Sequence, residues 1–296
     1  MTTFFFQASV SGIVTGAIYA LIGLGFALYL RSMRLLHFGH GEMAMIGAYL
    51  GLVLATKAGL PFLVAFPLAV AATALIGVLL ERVAIRPLWV KETDPFLIRA
   101  VFATIAIGIL LTNVALQIGG PFEKRYPAPL GDSVIRLGVI SLVPQDFLVL
   151  GIAVLLLYML QRFFQRTRAG LAMRAVMLDR DTAQLMGIDV RNYVALTFGL
   201  SSALAATAGI LVAPLVFWSF RMGGTLGIKA FAALTLGGLY TFPGAVVGGL
   251  LVGVVESLTG LFLSSTYRDV IVFSLLILML LIRPQGLLGR GPERVV

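Results

Sequence analysis

"KAFAALTLGGLYTFPGAVVGGLLVGVVESLTGLF", residues 229–262, is an apolar stretch whose only charges are Lys229 and Glu256. A helix needs about 20 apolar residues to cross a hydrocarbon core roughly 30 Å thick, so this stretch is too long for one span. Within it, "GGLYTFPGAVVGG" (237–249) holds a natural break, because Pro243 lacks an N–H and the flanking glycines weaken helix continuity. The spacing predicts a half-helix at 228–240 and a full span at 244–262, with a broken helix near 237–243.

Working outward, apolar runs recur at 9–30, 41–56, 61–80, 100–118, 146–161, 193–214 and 268–282. The chain is 59% hydrophobic and 12% charged, with a mean hydropathy of +1.02. The expectation is an all-α polytopic membrane protein with about 8–9 transmembrane helices in a single domain, 1–296. A membrane barrel would show alternating ten-residue segments instead. The start, "MTTFFFQASVSG", has no basic region ahead of its apolar run and reads as a retained first helix rather than a cleaved signal.

Basic residues assign the sides. The segments 31–40, 81–99 (with Arg82, Arg86, Lys91, Arg99), 162–192 and the tail after Leu281 (Arg283, Arg290, Arg294) hold 15 of the 22 Lys and Arg. They are expected in the cytoplasm. In a membrane protein this accounts for the net charge of +9 without nucleic acid as a partner. Residues 119–145, turn-rich and nearly charge-balanced, read as the main extracytoplasmic loop. With the break at 237–243, parity puts the N-terminus outside; a re-entrant dip at 31–40 would reverse the first helix.

Gly12/Gly16, Gly47/Gly51, Gly244/Gly248 and Gly249/Gly253 each sit four apart, spacing that lets helix backbones approach closely. Residues 12–50 and 193–253 share an order of small-residue helix, interruption and second helix, a faint hint of duplication of the kind transporters use.

Polar groups inside apolar segments mark candidate function. "LRSMRLLHFGHGEMAMIGAYL" (30–50) contains His37, His40 and Glu42. With no third His and no Cys in the chain, a metal site is not expected, and no cofactor motif occurs. Gly39 and Gly41 permit a chain reversal, which places Glu42 in the first turn of the next helix with Arg34 favouring its charge. His40, Glu42, Pro243 and Glu256 are the candidate residues of a translocation path. Glu256 is alternatively structural, with Arg268 as partner, and Lys229 is expected to snorkel to the interface.

"GLAMRAVMLDRDTAQLMGIDV" (170–190) is unusually polar for this chain. Asp179 can cap a helix over Arg180–Met186, with Asp181 in its first turn and Gly187 terminating it. So short a helix needs a docking surface. A stripe of Ala175, Leu178, Thr182 and Leu185 would face it, while Arg174, Asp181 and Gln184 point away. That surface is either a groove on a soluble partner or the bundle's own cytoplasmic face.

This segment resembles the cytoplasmic loop of the high-affinity branched-chain amino acid ABC-transporter permeases. So, in order, do "GAIYALIGLGFALYLRSMRLLHFGHGEMAMIGAYLG" (16–51), "LTFGLSSALAATAGILVAP" (196–214), "KAFAALTLGGLYTFPGAVVGGLLVGVVESL" (229–258) and "LLIRPQGLLG" (280–289). Leu36-His37 and Tyr240-Thr241-Phe242 depart from the usual family residues. The resemblance implies a multi-pass permease of the bacterial inner membrane, itself non-catalytic, carrying branched-chain or related small amino acids. It implies ATP-binding subunits docked on 162–192 through Arg174, Asp179, Asp181, Gln184 and Gly187. It further implies a second related permease, or a second copy, and an extracytoplasmic substrate-binding protein. No phosphate-binding G-x-x-x-x-G-K-[ST] occurs in the chain. Without the resemblance, an ion-coupled secondary transporter or channel is the alternative reading.

Overall fold

The computed structural model describes residues 2–90, 95–131, 133–137 and 140–289; Lys91, Arg290 and Arg294 of the basic segments lie outside them. The helices are α1 (Thr2–Met33), α2 (His40–Thr56), α3 (Phe62–Leu80), α4 (Pro95–Gly119), α5 (Pro144–Arg166) and α6 (Arg168–Leu178). They continue with α7 (Arg180–Leu185), α8 (Val190–Val216), α9 (Met222–Gly237), α10 (Phe242–Phe262) and α11 (Arg268–Ile282). Two short antiparallel strands, β1 (Ile135–Leu137) and β2 (Ile140–Leu142), pair within the turn-rich 119–145 loop.

Among the described residues, 7 helices are long and apolar enough to cross a membrane. The remaining two expected passes are α2 and α9, shorter at 17 and 16 residues. The break at 237–243 is present: α9 ends at Gly237, Gly238 takes φ 128, and α10 begins at Phe242. The helix before it starts at Met222, earlier than the predicted 228, so Lys229 sits inside α9 rather than at its mouth.

The long α1 lies at the centre, packed against α8, α9 and α10, and α2 packs against α8 and α9. Large apolar side chains such as Leu63, Phe102, Val154 and Leu281 face outward from α3, α4, α5 and α11. In water such a surface would drive association; in lipid it is the expected boundary. The α1–α10 contact is backbone against backbone. A Cβ added at Gly12 would come within 2.6 Å of Val254 Cα, and one at Gly16 within 2.7 Å of Leu250 Cα. Gly249 and Gly253 supply the opposing face, against Ala20 and against Gly12 and Gly16.

The basic segments gather at one end of the bundle. Arg180 donates to the Ser32 carbonyl at the end of α1, and Arg86 Nη2 donates to the Arg191 carbonyl at 3.3 Å. Arg86 also forms a two-pronged pair with the buried Glu81 carboxylate, at 3.2 and 3.0 Å. Arg31 lies over the Phe242 ring, and the tail donates Leu287 N–H to the Leu236 carbonyl at 2.8 Å. At the opposite end, the Gln7 side chain bridges to the Ser141 backbone at 2.7 Å, and Lys124 and Trp218 exchange backbone hydrogen bonds of 2.9 Å. The start of α1 and the 119–145 loop therefore share the end opposite the basic segments, as parity required.

Candidate functional site

At the basic end, residues 167–189 form a chain of caps. Thr167 Oγ1 accepts from Gly170 N–H at 2.9 Å and starts α6. Asp179, in extended conformation (φ −153°, ψ 117°), ends α6 and caps α7. Its Oδ1 accepts from Asp181 N–H (2.9 Å) and Thr182 N–H (3.1 Å), and Oδ2 accepts from the Thr182 hydroxyl (2.8 Å). The Thr182 hydroxyl, then the Thr182 and Asp181 N–H groups, hold the Asp179 carboxyl below the ordinary aspartate range. Gly187 takes φ 84, which lets its N–H reach the Gln184 carbonyl and that of Ile188 reach Ala183, closing the helix with paired C-terminal bonds.

The single stripe that helical periodicity predicts across 175–185 does not form. Extended backbone at Asp179 puts α6 and α7 on different axes, so Ala175 and Leu178 are out of register with Thr182 and Leu185. Gly170, Met173, Val176 and Ala183 are the residues buried in the two helices, Val176 and Ala183 against a cluster that includes Tyr29, Met33, Ile85 and Phe198. The helix pair thus lies on the bundle's own face, yet Leu178, Leu185 (87% exposed) and Met186 stand outward beside Arg174, Asp181 and Gln184.

In the apolar layer, α2 and α9 begin side by side. A Cβ at Gly41 would come within 2.8 Å of Gly227 Cα, and one at Gly223 within 2.9 Å of Glu42 Cα. Beside this junction is an open cavity of about 500 Å³, walled by Phe26, Ile105, Ile109, Ile228 and Phe231, with Glu42 as its acidic group. Glu42 is in the first turn of α2, as expected. Arg34, its predicted companion, is instead exposed and takes φ 53, turning the chain between α1 and α2.

Of the other candidates, none lines this cavity. His40 is buried, its Nε2 3.1 Å from the Ile22 carbonyl and its ring edge-on to Phe26 and Tyr29. His37 packs on Tyr29 and Phe198. Pro243 is exposed in the first turn of α10 near the basic end. Glu256 belongs to a separate buried network: Lys229 Nζ lies 2.7 Å from Glu256 Oε1 and 2.7 Å from Asp269 Oδ1, and the Tyr19 hydroxyl donates to Glu256 Oε2 at 2.6 Å. The expected snorkelling of Lys229 and the Arg268 partner for Glu256 are both overturned. Lys229 is 9% exposed because two carboxylates hold it between α10 and α11, while Arg268 stacks beside Gly260. Sequence reasoning missed Tyr19 and Asp269. The available signal was two opposite charges in one apolar run, which each need a partner.

A bundle of apolar-faced helices, two of them short and meeting head to head at a cavity, defines a multi-spanning membrane protein of the transport type. The family model for the permease component of branched-chain amino acid transport systems matches residues 9–280, and the chain belongs to that family. It is 36% identical to the high-affinity branched-chain amino acid transport system permease protein BraD of Pseudomonas aeruginosa, across 98% of this chain and 97% of that one. It is 33% identical to LivH of Escherichia coli over the same shares, and 26% identical to LivM of that organism over 92% of this chain and 68% of that one. Among solved structures it resembles PsaBC from Streptococcus pneumoniae in complex with Fab, with a TM-score of 0.50 at 15% identity over 95% and 92% of the two chains. That likeness is one of fold.

Proposed function

We propose that the chain is the non-catalytic, membrane-spanning subunit of an ABC importer for branched-chain or related small amino acids, in the bacterial inner membrane. The near full-length similarity to BraD and LivH supports the substrate class. The observation that carries the energy source is α7. It is a capped helix of 6 residues at the basic end, with Leu178, Leu185 and Met186 left outward around Arg174, Asp181 and Gln184. An apolar knob ringed by charge suits a groove on a soluble ATP-binding subunit. The basic end is then cytoplasmic, and the 119–145 end receives substrate from an extracytoplasmic binding protein. LivM, which resembles this chain and shares an organism with LivH, supports pairing with a second related permease.

The test is uptake of radiolabelled leucine into vesicles holding the assembled system. Accumulation that needs ATP and the partner ATPase is expected. Accumulation by this polypeptide alone, driven by a proton or sodium gradient, overturns the reading.

A further inference from the structure

The cavity beside the α2–α9 junction joins features that point to one ligand chemistry. Its wall is mostly apolar, from Phe26, Ile105, Ile109, Ile228 and Phe231, with Thr112 and Asn113 as uncharged polar groups, and its volume of about 500 Å³ suits a small molecule. Its charged group is the Glu42 carboxylate. The side chain lies between α4 and α9: a Cβ on Gly108 would be 3.7 Å from Oε2, and one on Gly224 would be 3.8 Å from Oε1. Glu42 Oε2 is buried and has no hydrogen-bond partner among the described residues. A buried carboxylate oxygen with nothing donating to it is costly, and the cost is recovered when a donor arrives.

Glu42 is in the first turn of α2, and the first turn of α9 packs against it through Gly223, so two helix N-termini converge on one side chain. Glycine on each helix is what permits this approach. A carboxylate oxygen left without a donor in the wall of a largely apolar pocket suits a ligand with a charged or donating nitrogen on an apolar body.

We infer that this cavity is a substrate subsite of the permease, in which Glu42 receives the ammonium group of an amino acid while the Phe and Ile wall takes its apolar side chain. The inference rests on the amino acid importer reading. It adds that the permease itself reads the amine.

The experiment uses the purified full chain in lipid nanodiscs, without binding protein, and saturation-transfer NMR with three probes: leucine, 3-methylbutylamine and 4-methylpentanoate. Leucine and the amine should bind, and the carboxylate lacking an amine should not. In E42Q, affinity for leucine and for the amine should fall at least tenfold, and E42D should recover part of it. Binding of 4-methylpentanoate as tight as leucine, unchanged binding in E42Q, no binding of any probe, or displacement of leucine by sodium ions overturns the subsite. ATP-driven leucine uptake by the assembled wild-type system is measured alongside. Its loss removes the importer reading, whereas normal uptake with unaltered E42Q binding removes only the role of Glu42.

Discussion

At the scale of single residues, the network of Lys229, Glu256, Asp269 and Tyr19 ties four helices together, α1, α9, α10 and α11. Removing one partner of a buried ion pair leaves an uncompensated charge, at a cost of about 3–5 kcal/mol. E256Q and K229M should therefore melt well below the wild type in detergent by a thermal-shift assay. D269N should lose less, because its carboxylate is 57% exposed. An E256Q protein that melts like the wild type but transports poorly would instead restore Glu256 to the pathway. The sequence exposed the problem, two opposite charges in apolar helices, but not its solution. Lys229 and Glu256 are 27 positions apart, and only the antiparallel return of α10 against α9 makes them neighbours. Asp179 carries a prediction in pH. Its carboxyl is held below the ordinary range in the folded loop, so the capping stabilisation is complete above the unfolded aspartate value and is lost as pH falls through the lower, folded one. Co-purification of the ATPase should persist through mildly acidic buffer and fail only below the ordinary aspartate range; D179A should weaken it at neutral pH.

At the scale of elements, α7 was legible and α6 was not. The capping Asp and terminating Gly of α7 are local chemistry, readable in order along the chain. The start of α6 depends on a Thr167 cap, which a Thr between two arginines does not announce. The false stripe through 175–185 has the same origin, since helical periodicity presumes continuous helix and the extended Asp179 interrupts it. G187V should strain the left-handed terminator and swing Ile188 from Ala183. Its expected outcome is ATP hydrolysis that continues while leucine uptake falls severalfold, at normal membrane abundance. Normal uptake would separate α7 from coupling. The glycine pairs were read only as close-packing signals; that Gly12 and Gly16 meet Gly249 and Gly253 is a tertiary fact set by the α1–α10 crossing.

At the scale of the whole molecule, the division of basic segments proved the most informative pattern, because their collection at one end follows from helix parity alone. The chain has no cysteine, so one introduced at Ser141 and one at Gln184 each give a unique label at opposite ends. A membrane-impermeant maleimide should mark S141C in intact spheroplasts and Q184C only in inverted vesicles; the reverse pattern would invert the bundle. What parity could not convey is the fit of α2 and α9, whose shortness is invisible until their starts are seen to meet in the interior. The tail has a consequence for how the molecule is made. Leu287 and Leu288 donate to two carbonyls at the end of α9, those of Leu236 and Gly237. Those two leucines leave the ribosome well after α9 has entered the bilayer. The lower edge of α9 must wait, unsealed, for residues that follow α11, and a polypeptide stalled between the two would lack that stitch.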